Sequence, residues 1–251
     1  MSNYVGQILA LLCLLLTVSC SVKPDDLSEN TSIDEIFNLA EKARDRKSFQ
    51  EAGDFYMEIE NLFPYSDGSR KALIEAMKSY HKGSDLLSAR LSAKRYLTLY
   101  PTGEDAAFSK YIIGLSHFDA IVDVQRDQGA ALHAVREFTE LIEQFPGSEF
   151  TKMARENLAI AYAQLAGQEM VVGRYYMKRK DYLAAINRFS TVKNNYSDTI
   201  FEVEALYRLT EAYIALGMED LAKSTNQKLK TKYTHSLWAN KSSTLVSMFT
   251  D

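Results

Sequence analysis

The sequence predicts an all-α chain, a right-handed α-solenoid of five stacked helical hairpins, and three observations predict it. Breakers are sparse, with 11 glycines and 4 prolines in 251 residues, whereas sandwiches and barrels need frequent turn residues. An aromatic residue followed by a turn recurs at Phe63, Tyr100, Phe145, Tyr196 and Tyr233, at intervals of 37, 45, 51 and 37 residues. Eleven residues before each aromatic stands an alanine: Ala52, Ala89, Ala134, Ala185 and Ala222. Where antiparallel helices cross at ~8–10 Å, any side chain larger than a methyl forces the axes apart, so a recurrent alanine marks the crossing.

The elements follow in chain order. Ile8 to Val18 is an uncharged run of 11 residues, too short to span a membrane of ~30 Å hydrocarbon thickness and suited to a signal-peptide core. Residues 1–19 are therefore expected to be a signal peptide. Leu16-Thr17-Val18-Ser19-Cys20 resembles a bacterial lipobox, with Cys20 as the lipidated residue. Residues 20–32 form the expected lipidated tether, since Ser21 to Ser32 is polar and has no aromatic residue. Several acyl chains on one cysteine anchor stably, each buried methylene contributing roughly 0.8 kcal/mol. The solenoid is expected over 33–234 and a C-terminal tail over 235–251.

Within the repeats, the residue seven after each alanine is apolar or aromatic: Ile59, Tyr96, Leu141, Val192 and Leu229. That is one heptad along a buried stripe. The first helices carry a matching face, with Ile36, Leu39, Ala40 and Ala43 in the first unit and Leu73, Ala76, Met77 and Tyr80 in the second. Pro64, Pro101 and Pro146 stop three of the second helices; Ser197 and Thr234 stand in their place in units four and five and predict weaker turns there. The third unit is eight residues longer than the 37-residue spacing, around Phe118 to Gln128. The fourth gains 14 residues, so Glu149 to Arg179 reads as one long helix with an end projecting from the stack.

Composition excludes several functions. The net charge of −4 gives no electrostatic footprint for nucleic acid. Both cysteines, Cys13 and Cys20, precede the repeats, so the body has no disulfide framework or zinc knuckle. The four histidines are scattered, with no pair at metal-ligand spacing. No phosphate-binding loop, nucleophile elbow or zinc-protease helix motif occurs, so no catalytic residue, metal or cofactor is expected and the chain is read as a non-enzyme.

The repeat positions coincide with the tetratricopeptide pattern over Ile33 to Tyr233. The full order is lipobox, five hairpins, Arg126-Asp127, Gly173-x-Tyr175-Tyr176, then Ala184-Ala185-Ile186-Asn187-Arg188. It resembles the BamD family, lipoproteins of the bacterial outer-membrane β-barrel assembly (BAM) machinery. The resemblance implies a scaffold on the periplasmic face of the outer membrane, held there by its lipid anchor. It implies binding to BamA-like POTRA domains and to other BAM lipoproteins, and reception of unfolded outer-membrane β-barrel proteins. It also implies that Asn187 and Arg188 lie at the BamA interface, with Arg188 in an ion pair. The chain departs from the family pattern in a shorter loop before Arg126-Asp127 and in lacking a proline after Tyr196. A different periplasmic tetratricopeptide lipoprotein, an adaptor in envelope maintenance or division, is the alternative.

Read by residue type alone, Arg188 is a solvated surface arginine and Asp127 a helix cap. The tyrosines Tyr162, Tyr175, Tyr176, Tyr182 and Tyr196 read mostly as core with hydroxyls at the rim. On the first helices of units one and two, Asp34, Phe37, Glu41 and Arg44, and then Lys71, Ile74, Lys78 and His81, fall on stripes facing away from the partner helix. Phe37, Arg44, Ile74, Lys78 and His81 are the candidate substrate groove, with Phe37 and Ile74 as apolar grips.

Overall fold

A computed structural model describes residues 22–123 and 128–250. Beyond a short 3-10 turn at Pro24–Asp26, it consists of eleven α-helices: α1 (Ile33–Asp45), α2 (Phe49–Leu62), α3 (Asp67–Lys82), α4 (Leu86–Leu99), α5 (Ala106–Phe118), α6 (Gly129–Gln144), α7 (Glu149–Lys178), α8 (Tyr182–Asn195), α9 (Glu202–Ala215), α10 (Glu219–Lys232) and α11 (Leu237–Thr250). Among the described residues there is no strand. Each helix packs on its neighbours in the chain, and α1, α3, α5 and α7 also touch in succession. The result is a one-dimensional stack of five hairpins, α1–α2 through α9–α10, the α-solenoid that the register predicts.

Local chemistry sets the ends of the rods. Ser32 and Ser66 cap α1 and α3 by accepting the backbone N–H three residues on, and Ser148 caps α7. Four of the hairpin turns place a residue five before the alanine in the left-handed region: Lys47 (φ 63°), Ser84 (φ 60°), Lys180 (φ 62°) and Gly217 (φ 70°). There the next residue's N–H reaches back to the first helix, as Ser48 does to the Ala43 carbonyl at 2.9 Å, and so closes the helix end. The second helices end alike on their aromatics, with φ of −129° at Phe63, −134° at Tyr100, −128° at Phe145, −133° at Tyr196 and −131° at Tyr233. The turns without proline therefore share the geometry of those with it. The packed aromatic at the helix end, rather than the missing N–H of proline, is common to all five.

The five alanines are 0–1% exposed, and so are the residues seven after them, from Ile59 to Leu229. Close approach of the helices is visible from the other side as well. A Cβ on Gly114 of α5 would lie 2.6 Å from the Phe138 ring, and one on Gly173 of α7 would lie 2.5 Å from the Phe189 ring.

Two expectations are corrected. The long helix α7 has no free projecting end, for buried residues run from Thr151 to Gly173. Its first half packs through Ala154 on the core of Ala134, Phe138 and Leu141, and its second half through Ala166 and Met170 on Ala185, Phe189 and Leu209. The extra turns thus join two stretches of core. The segment 235–251, expected as a tail, contains α11, which covers α9 and α10. Leu206 and Leu229 would otherwise face water at the end of the stack; Ala239 packs on them, and Trp238 lies 5.0 Å from the Tyr207 ring.

Candidate functional site

The first-helix wall of units one and two is a charge ladder. Arg44 on α1 pairs with Glu41 and, at 3.2 Å, with Glu75 on α3; Lys78 reaches the same Glu75 at 2.9 Å. His81 lies 2.8 Å from Asp119 at the end of α5. The Tyr56 hydroxyl donates to Glu41 at 2.8 Å; burial, followed by that carboxylate, pushes its pKa above the ordinary phenol range. Arg44, Lys78 and His81 thus share one face, as their spacing predicts.

The two apolar grips do not stand open on it. Ile74 is 7% exposed and belongs to the core, which corrects its placement in an open groove. The side of α3 turned away from α4 is flanked by α1 and α5, and helical spacing within one hairpin carries no information about that neighbour contact. Phe37 is half-buried, edge-on to Tyr56 at 5.6 Å, with Lys71 Nζ 5.5 Å from its ring.

A second face surrounds Arg188. Tyr176 of α7 and Ala184, Asn187, Arg188 and Thr191 of α8 line a shallow pocket of ≈ 170 Å³. The Arg188 side chain is 45% exposed and lies 3.3 Å from Glu169 of α7, so an ion pair within the chain orients it across the hairpin. Asn187 is exposed, and its backbone carbonyl accepts from the Thr191 hydroxyl at 3.1 Å. Of the five tyrosines, four are half-buried, and Tyr162 and Tyr196 stand 6.0 Å apart. Tyr175 is the exception at 55% exposed, its ring edge-on to Tyr176 and covered by Arg179.

Cys20 and Arg126-Asp127 lie outside the described residues. The N-cap of α6 is Gln128, with no side-chain cap bond.

Sequence reasoning missed one cluster. His117 on α5 and His133 on α6 lie with ring centroids 4.9 Å apart and planes tilted by 33°, although the histidines read as scattered. The position of His133 directly before the crossing alanine Ala134 was the available signal, since it fixes the residue beside the preceding first helix. Buried acids are paired: Glu202 is fully buried and accepts from Lys232 at 2.5 Å and from the Tyr233 hydroxyl at 2.6 Å. Burial raises Glu137, but hydrogen bonds from Arg136 and Lys110 outweigh it and hold the carboxyl below its ordinary value. Among the described residues no three His, Cys, Asp or Glu side chains are placed to hold a metal, and no helix is long and apolar enough to cross a membrane.

A family model described as YfiO, outer membrane lipoprotein, matches residues 29–229. A Caulobacter vibrioides protein named outer membrane protein assembly factor BamD is 32% identical over 216 residues, 86% of this chain and 71% of that one. A protein of the same name from Rickettsia prowazekii is 31% identical over 225 residues, 87% of each chain. The crystal structure of MamA protein is similar at 19% identity and a TM-score of 0.37, over 82% of this chain and 97% of that one, a match too loose to carry an argument.

Proposed function

The chain belongs to the YfiO family of outer membrane lipoproteins, and from that membership we propose that it is the scaffold lipoprotein of an outer-membrane β-barrel protein assembly complex. Its relatives are assembly factors and not enzymes. On this reading Cys20 carries the lipid anchor, 20–32 is the tether, and the solenoid hangs at the periplasmic face of the outer membrane. The α7–α8 face binds the POTRA region of a BamA-like subunit through Arg188 and Asn187. The α1–α3–α5 wall, through Phe37, Arg44, Lys78 and His81, receives unfolded outer-membrane β-barrel proteins. Other BAM lipoproteins dock elsewhere on the stack.

One observation carries the POTRA assignment. Arg188 is half-exposed beside a small pocket, and Glu169 holds its guanidinium in place before any partner arrives. A pre-oriented arginine loses less side-chain freedom on forming a second, intermolecular ion pair. The test isolates the full-length tagged chain from detergent-solubilised envelopes of its own bacterium. The wild type brings down the POTRA-bearing barrel protein, and Arg188→Glu cuts recovery by about tenfold or more. Equal recovery from both chains would overturn the assignment.

A further inference from the structure

Helices α4 and α6 both pack on α5 without packing extensively on each other, so the outer side of α5 lies at the floor of a groove between them. Four nitrogen-bearing side chains meet there. Arg90 and Lys94 of α4 and His133 of α6 all act electrostatically on His117 at the floor, and the two imidazoles are 4.9 Å apart. Among the described residues the carboxylate that acts on His117 is Glu137. It is already engaged by Lys110 at 3.0 Å and Arg136 at 2.8 Å. Among the described residues no carboxylate lies within ion-pair distance of Arg90 or Lys94.

Exposed leucines stand on both flanking helices. Leu87 and Leu91 on α4 are 58% and 56% exposed, and Leu132 on α6 is 54% exposed. A single exposed leucine needs no explanation, but these follow a register. Leu87 and Leu132 each stand two residues before the crossing alanine, and Leu183 repeats the position in the fourth hairpin at 61% exposed. In the two outer hairpins the same position is polar, as Gln50 and Asp220. A face that meets only water has no reason to carry leucine in three successive units.

We infer that the groove between α4 and α6 docks an acidic amphipathic segment of a partner protein. Its carboxylates meet Arg90, Lys94 and the paired imidazoles, and its apolar residues cover the rim leucines. Charge complementarity selects this occupant. A basic or neutral segment leaves two cations without counter-charge, and a metal ion between the imidazoles is repelled by those same cations. The site is separate from the Arg188 face and does not depend on the assembly reading.

Docking here is pH-dependent. His117 is held down at about 4, by burial first and then by Arg90, His133 and Lys94 against Glu137. A carboxylate placed in the groove favours the protonated ring, so binding takes up a proton and tightens as pH falls towards about 4.

The probe is a fluorescently labelled synthetic helix of glutamate and leucine, with a glutamine–leucine counterpart, titrated by anisotropy into the full-length chain in detergent. The acidic peptide is expected to bind at least about tenfold tighter than the neutral one. Arg90→Ser with Lys94→Ser removes that advantage, Leu87→Ser with Leu132→Ser weakens both peptides, and His117→Gln abolishes the tightening at low pH. Circular dichroism checks that each variant stays folded. Lys223→Ser with Lys230→Ser, on α10, leaves binding unchanged. Equal affinity for the two peptides, or an equal loss in the α10 variant, would overturn the proposal.

Discussion

At two hairpin crossings a bare glycine meets a large ring. In the third and fourth hairpins the second helix supplies a methyl at Ala134 or Ala185 and, four residues on, the ring of Phe138 or Phe189, which lies over a bare glycine of the first helix. Two effects compete when that glycine becomes alanine. Helix propensity favours alanine by about 1 kcal/mol, whereas overpacking a filled core costs about 1–3 kcal/mol. A Cβ 2.5 Å from Phe189 is far inside contact distance, so overpacking wins. Gly173→Ala therefore lowers stability by up to about 2 kcal/mol in urea denaturation, and adding Phe189→Leu recovers part of the loss. A Gly173→Ala chain as stable as its parent would refute the close approach. The alanines are legible in the sequence because every unit has one. The glycines are not, because Gly173 sits twelve before its alanine and Gly114 twenty, and only allowance for the eight-residue insertion puts both in one register with Ala40, Met77 and Thr210.

Among the elements, α5 and α6 are where pH acts on the folded chain. The folded His117 takes its proton near pH 4, against an ordinary value of 6.5. Above 6.5 neither the folded nor the unfolded chain is protonated there, and this residue carries no penalty. As pH falls from 6.5 towards 4 the unfolded chain takes up the proton first and is favoured, so stability declines through that window. Urea midpoints at a series of pH values should fall less steeply for His117→Gln than for the parent across it, and parallel curves would contradict this. The histidine pair is hidden from sequence reasoning because the insertion before α6 breaks the regular spacing. Ile74 was misplaced for a different reason. Helical periodicity shows which residues leave their own hairpin, but which of them the next hairpin covers is decided by stacking.

At the scale of the whole molecule, the stack is continuous because α7 belongs to two stretches of core and α11 closes the far end. The long helix is legible from unit length alone. The closing helix is not, since it lies outside the five aromatic-and-alanine registers, and its role appears once Leu206 and Leu229 are seen to need cover. Such a scaffold can offer separate partners separate faces, and we propose that it does so, with the POTRA region on α7–α8 and unfolded barrel proteins on α1, α3 and α5. Hydrogen–deuterium exchange on the full-length chain, with and without the POTRA region of its own bacterium's barrel protein, tests this most directly. Exchange should slow around Tyr176 and from Ala184 to Thr191, with α1 and α3 unchanged. Protection confined to α1 and α3, or none on α7–α8, would contradict it.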